Sequence, residues 1–194
     1  MFTGIIEDLG IITKLEQING NLNITVKCSF TDELKIDQSV SHNGVCLTVI
    51  KIEDSEYTVT AIDETLKKTN LENLVLNQEI NLERGMKLGD RLDGHIVQGH
   101  VDQIGYCDNI LEKDCSWVFT FSYDESSGNV TIEKGSITVN GVSLTVVDST
   151  QNAFSVAIIP YTFDHTTFKN LSVGDNVNLE FDVIGKYVNR LTSF

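Results

Sequence analysis

Two short stretches hold the side chains best suited to chemistry, and they are near copies of each other. Residues 39–49 read Ser39-Val40-Ser41-His42-Asn43-Gly44-Val45-Cys46-Leu47-Thr48-Val49, and residues 136–146 read Ser136-Ile137-Thr138-Val139-Asn140-Gly141-Val142-Ser143-Leu144-Thr145-Val146. Alternate side chains of an extended chain share a face. Val45, Leu47 and Val49 therefore form one aliphatic face opposite Cys46 and Thr48, and Val142, Leu144 and Val146 stand opposite Ser143 and Thr145. One thiol-or-hydroxyl pair of this kind reads equally well as a satisfied ladder on a sheet surface. Its recurrence makes two matched binding sites credible. A third segment, Gly94-His95-Ile96-Val97-Gln98-Gly99-His100-Val101-Asp102, adds two imidazoles. On a regular strand, histidines five apart face opposite ways and cannot share one metal ion, while the glycines beside them suggest close backbone approach. The chain has no Ser-His-Asp ordering with a nucleophile elbow and no phosphate-cradling glycine loop after a strand.

The elements that hold these residues come from a duplication. Seven of the eleven positions above are identical at an offset of 97 (143 − 46), where chance gives about one. Leu76-Asn77-Gln78-Glu79-Ile80-Asn81-Leu82-Glu83 falls on Val173-Gly174-Asp175-Asn176-Val177-Asn178-Leu179-Glu180 at the same offset. Gly4-Ile5-Ile6-Glu7-Asp8-Leu9-Gly10 falls on Gly99-His100-Val101-Asp102-Gln103-Ile104-Gly105 at an offset of 95. The order is kept over nearly the whole chain, so this is a duplicated domain rather than a solenoid. The boundary is expected near Gly85–Gly94. Within each copy, apolar residues alternate at Leu22, Ile24, Val26 and at Val177, Leu179, Phe181, the period of half-buried strands. Asn43-Gly44 and Asn140-Gly141 are hairpin signals. Several short strands in about 90 residues point to a small closed barrel per copy. Short helical pieces are expected around Thr31–Lys35, Thr65–Leu71 and Thr162–Asn170, and two turns of helix at Gly185–Leu191.

Bulk properties narrow the class. The net charge of −14 argues against nucleic acid, whose phosphates call for clustered Lys and Arg. No apolar run reaches the roughly 18 residues of a membrane helix, and the start, Met1-Phe2-Thr3-Gly4-Ile5-Ile6-Glu7-Asp8, has no basic n-region of a signal peptide. Cys28, Cys46, Cys107 and Cys115 lack C-x-x-C spacing and are expected to be free thiols in a cytoplasmic protein.

Met1-Phe2-Thr3-Gly4-Ile5-Ile6-Glu7, the Asn43–Val49 block, the Gly94–Asp102 block and the Asn140–Val146 block together resemble the riboflavin synthase family, in one order over essentially the full length. The resemblance implies an all-β chain of two tandem six-stranded Greek-key barrels, residues 1–88 and 89–184, with a short C-terminal helical tail at 185–194. It implies a homotrimer whose active site joins the N-terminal barrel of one copy to the C-terminal barrel of its neighbour, and lumazine synthase as a further partner. No metal or redox cofactor is implied, because the reaction rearranges two copies of one substrate. Cys46, His100, Ser143, Asp182, Ser39 and His95 are the catalytic residues implied. Substrate contacts would come from Phe2, from Gly4, Ile5 and Ile6, from Cys46, Leu47 and Thr48, and from Thr60, Ala61, Ile62, Asp63, Glu64 and Thr65. On the second copy they would come from Gly99, His100 and Val101, from Lys134, from Ser143, Leu144 and Thr145, and from Ala157, Ile158, Ile159, Pro160, Tyr161 and Thr162. His100, Ser143 and Asp182 are expected to work together in proton transfer, with Cys46 and Ser39 assisting the opposite ring. A non-catalytic lumazine- or flavin-binding optical protein of the same family is the alternative, as is a two-barrel interaction module without a small ligand.

Overall fold

A computed structural model describes residues 1–192. In the first copy the strands are β1 (Asp8–Ile18), β2 (Asn21–Lys27), β3 (Ser39–His42), β4 (Val45–Glu53), β5 (Glu56–Ala61) and β6 (Glu79–Arg84). In the second they are β7 (Gln103–Lys113), β8 (Ser116–Ser122), β9 (Ser136–Val139), β10 (Val142–Ser149), β11 (Ala153–Ile158) and β12 (Asn176–Phe181). Each set closes into an antiparallel barrel in one order, β1-β2-β5-β4-β3-β6 and β7-β8-β11-β10-β9-β12. The expected hairpins form at Asn43-Gly44 and Asn140-Gly141, with positive φ at all four residues. Bulges fall at matched places in the two copies, between Ile12 and Lys14, Val49 and Lys51, Cys107 and Asn109, and Val146 and Asp148. An extra residue on one strand sharpens the local twist and bend that closure requires. Helix α1 (Asp63–Lys68) follows β5, α2 (Pro160–Asp164) follows β11, and α3 (Val183–Thr192) follows β12.

The two cores are filled differently. The first is mostly aliphatic, around Ile12, Ile24, Val40, Val49, Ile80 and Leu82. The second is built on Phe119, Phe121, Phe154 and Phe168, with edge-on ring contacts among them. One polar pair breaks the first core. His42 is fully buried, its Nδ1 3.0 Å from the Val40 carbonyl and its Nε2 2.8 Å from the Tyr57 hydroxyl. Burial pushes its pKa down from 6.5 to about 4, so the imidazole is neutral and accepts from Tyr57. An unfolded histidine titrates near 6.5. The stability that this group contributes is therefore complete above pH 6.5 and is lost as pH falls towards 4. Urea unfolding should show about 2 kcal/mol of this loss between about pH 7 and about pH 5. The second copy carries Val139 and Phe154 at these places (139 − 97 and 154 − 97). The double substitution His42→Val and Tyr57→Phe should flatten the slope in that window, and an unchanged slope would assign the acid sensitivity elsewhere.

The barrels are clamped together by asparagines. Asn81 Nδ2 donates to the Asn140 carbonyl and Asn178 Nδ2 to the Asn43 carbonyl, at 2.9 and 2.8 Å. The Asn70 N–H reaches Asn178 Oδ1 across the seam, and the Thr167 N–H reaches Asn81 Oδ1. Buried amides cost little only when every donor and acceptor is matched, so this network fixes how the barrels face each other.

Candidate functional site

Each barrel carries a row of small, mostly polar side chains beside its hairpin. Ser39 pairs with Thr48, and continuation of the Val49–Val59 register puts Thr60 across from Thr48. In the second barrel Ser136 pairs with Thr145, and the Val146–Val156 register brings Ala157 alongside. Cys46 and Ser143 share these faces and are half-buried, while Val45, Val49, Val142 and Val146 point into the cores.

What covers these faces differs from the sequence expectation. The segment that carries His95 and His100 forms no named strand; its one ladder contact is an isolated antiparallel bridge between Phe2 and Val97. Two straps, residues 1–6 and 94–101, cross here, and each ends on the opposite barrel. The Ser143 N–H donates to the Gly4 carbonyl at 2.7 Å, and the Cys46 N–H donates to the Gly99 carbonyl at 2.9 Å. Ile6 packs on the second core and Val101 on the first. Both strap glycines have left-handed φ, +78° at Gly4 and +79° at Gly99. A Cβ would lie 2.6 Å from Ser143 Cβ in one case and 2.6 Å from Cys46 Cβ in the other, so only glycine permits this approach. The first face is thus Cys46, Thr48 and Thr60 bordered by Gly99, His100 and Val101. The second is Ser143, Thr145 and Ala157 bordered by Gly4, Ile5 and Ile6.

His95, rather than His100, is the partner of Ser143. His95 Nδ1 stands 2.7 Å from Ser143 Oγ, and its Nε2 stands 3.3 Å from Thr138 Oγ1. Burial pushes the His95 pKa down, while the charge of Asp182 pulls the other way. A neutral imidazole held between two hydroxyls can accept a proton at one nitrogen and donate at the other. Asp182 also caps α3, its Oδ1 accepting from the Ile184 N–H at 2.9 Å. His100 is exposed and continues the strap past Gly99, on the Cys46 side.

Other expected residues take more modest places. Phe2 is fully buried under Gly99 and supports the strap rather than facing outwards. Leu47, Ala61 and Ile158 are core residues; only their backbone is left to meet a ligand. Lys134 occupies a left-handed turn position with its side chain exposed. Ser39 and Ile5 line a cleft of about 610 Å³ together with Thr3, Glu83 and Arg84. Ile62, Ile159 and Tyr161 are exposed, Tyr161 stacked on His165 with ring centres 4.1 Å apart. Asp63 and Glu64 are ion-paired to Lys67 and Lys68 on the surface. Leu144 and Thr162 are half-buried, Leu144 against the second core.

Sequence reasoning missed Glu83 and Glu180. Glu83 Oε1 accepts from the Thr3 N–H and hydroxyl at 2.6 and 2.8 Å, and Oε2 from the Gly4 N–H at 2.9 Å. Glu180 Oε1 accepts from the Gln98 N–H at 2.6 Å, and Oε2 from the Gly99 and His100 N–H groups at 2.9 Å. Burial pushes both carboxyls up, against these hydrogen bonds. The available signal was their identity at an offset of 97 inside a buried strand.

The lumazine binding domain family matches the chain twice, over residues 3–85 and 98–182. Riboflavin synthase of Bacillus subtilis is 38% identical over 98% of this chain and 89% of the relative. That of Mycobacterium bovis is 40% identical over 98% of each. This chain belongs to the riboflavin synthase family. Among solved structures, LumP complexed with riboflavin superposes with a TM-score of 0.86 at 22% identity, covering 93% of this chain and 99% of LumP. LumP complexed with 6,7-dimethyl-8-(1'-D-ribityl) lumazine gives 0.84 at 21%, covering 93% and 98%. These likenesses confirm the fold of two six-stranded barrels. Membership of the riboflavin synthase family accords with the duplicated polar faces, one headed by a thiol and the other by a hydroxyl.

Proposed function

We propose that this chain is a riboflavin synthase that dismutates two molecules of 6,7-dimethyl-8-ribityllumazine. One molecule gives a four-carbon unit to the other, yielding riboflavin and 5-amino-6-ribitylaminouracil. The atoms of two substrates equal those of the two products, so no outside oxidant or cofactor enters the balance. The observation that carries the reading is the pair of like faces with unlike polar heads, Cys46 beside the His100 strap and Ser143 bonded to His95. Like faces suit two copies of one ligand; unlike heads suit a donor and an acceptor. Holding both rings in contact removes the entropy of a two-molecule encounter, up to roughly 7–11 kcal/mol in well-oriented systems. Ser143 and His95 then move the proton of the acidic 7-methyl group, Ser143 Oγ relaying it to the neutral imidazole. Cys46 and His100 serve the other ring.

The site is assembled between copies in a homotrimer. Inside one chain the buried Phe2–Val97 bridge separates the Cys46 face from the Ser143 face. That arrangement favours two rings that meet across a subunit interface. Helix α3 supports association: Ile184, Tyr187, Val188 and Leu191 follow the i, i+3, i+4, i+7 spacing of one face and all are exposed. Lumazine synthase, as supplier of the substrate, is the second partner we propose. The compartment we propose is the cytoplasm, in keeping with the free thiols of Cys28, Cys46, Cys107 and Cys115. No helix among the described residues is long and apolar enough to cross a membrane.

Incubating the purified chain with ribityl-lumazine and following riboflavin by its absorbance tests the proposal. Riboflavin and the pyrimidine should appear in equal amounts, one of each for two lumazines consumed. Tight binding of ligand without turnover would favour the optical-protein alternative.

A further inference from the structure

We infer that Glu83 and Glu180 are positioning residues, each of which builds the ligand face of the barrel it does not belong to. The inference rests on the reading of the two polar faces as lumazine pockets. Glu180 stands on β12 of the second barrel, yet the strap that it grips, Gln98-Gly99-His100, borders Cys46 of the first. Glu83 stands on β6 of the first barrel, and its strap, Thr3-Gly4, ends on Ser143 of the second.

The chemistry of the grip favours a carboxylate. Each Glu is 3% exposed and meets three donors, two on one oxygen and one on the other. An ionised carboxylate is acceptor-only at both oxygens, so it can match all three. The isosteric amide cannot: its NH₂ must confront at least one strap N–H. Beyond the Phe2–Val97 bridge, little else fixes the strap at this point. Its glycine adopts left-handed φ, and its carbonyl makes one bond to the opposite barrel's pocket strand. Loosening the Glu therefore frees His100 in one case and Ile5 in the other, while the strand that bears the Glu keeps its ladder partners: β12 remains between β7 and β9, and β6 between β1 and β3.

A residue that merely stabilised its own barrel would weaken the pocket of that barrel, or both pockets equally. The inference demands the crossed result, which hydrogen exchange read by mass spectrometry can resolve on the full-length protein with riboflavin as the probe. In Glu180→Gln, the ligand-free protein should exchange faster at residues 98–100 and at the Cys46 amide, and no faster at the Ser143 amide. Riboflavin should lose its protection of residues 45–49 and keep that of residues 142–146, with affinity at the first pocket falling about tenfold, the scale of one or two lost hydrogen bonds. Glu83→Gln should give the mirror pattern. If either variant fails to fold, Thr3→Val removes one donor to Glu83, together with the acceptor of the Ile5 N–H in the same strap, and should loosen the Ser143 amide alone. Loss in the barrel that carries the substitution, equal loss in both, or no change overturns the inference. A parent protein that riboflavin protects at neither face overturns the functional reading instead, and the ligand-free exchange of the Cys46 and Ser143 amides still decides the positioning role.

Discussion

Replacing Ser143 with alanine is expected to lower riboflavin formation by about 10²–10⁴-fold, the range of a positioned acid–base group, while the first face still binds ligand. Ser143 Oγ is the group on the second face that His95 reaches, at 2.7 Å. His95→Gln should cost a similar factor, because an amide keeps hydrogen bonds but cannot take up a proton. The two losses should not add, since the residues form one relay. The pH profile offers a finer check. Burial pushes the His95 pKa below its ordinary value and Asp182 opposes that push, so the acid limb of turnover should lie below the usual histidine range. Asp182→Asn keeps a capping oxygen for α3 but removes the charge, and the acid limb should move further down. Steady-state rates from fluorescence, taken across pH for the parent and the three variants, decide this. A Ser143→Ala protein within threefold of the parent would remove Ser143 and His95 from the chemistry together.

Much of the fold could be read from residues alone because the duplication printed each signal twice. Asn-Gly at 43–44 and 140–141 dictated the hairpins, and strict alternation at Val45–Val49 and Val142–Val146 dictated which side chains face the cores. The inventory of polar residues was legible for the same reason. Their grouping was not. His100 was expected beside Ser143 because both lie in the second copy, but the straps cross, and Gly99 lands on Cys46 while Gly4 lands on Ser143. Nothing in the local pattern of a strap tells which barrel it will close upon; that is settled by the buried Phe2–Val97 bridge and the carboxylates of Glu83 and Glu180, contacts separated by some eighty residues or more in sequence. Those carboxylates hid in plain alternation. A glutamate inside Asn81-Leu82-Glu83 or Asn178-Leu179-Glu180 reads as the solvent side of a strand, whereas both copies bury it under a strap.

The crossing of the straps also fixes which inactive chains can rescue each other. Cys46 and His100 belong to one face of one chain, since the Gly99 carbonyl accepts from the Cys46 N–H. Ser143 and His95 belong to the other face. If the working site joins the first face of one copy to the second face of its neighbour, a Cys46→Ala chain still supplies a sound second face and a Ser143→Ala chain a sound first face. Mixed and allowed to exchange subunits, these two inactive proteins should regain activity, with about one interface in four carrying both sound faces after random assembly. Cys46→Ala mixed with His100→Ala should regain none, because every first face in that mixture lacks one of its two groups. Subunit exchange can be verified by native mass spectrometry of differently labelled chains before riboflavin is assayed. Silence from the first mixture despite proven exchange would put the whole site inside one chain. Recovery in the second mixture would instead separate His100 from Cys46, against the hydrogen bond that ties their two segments together.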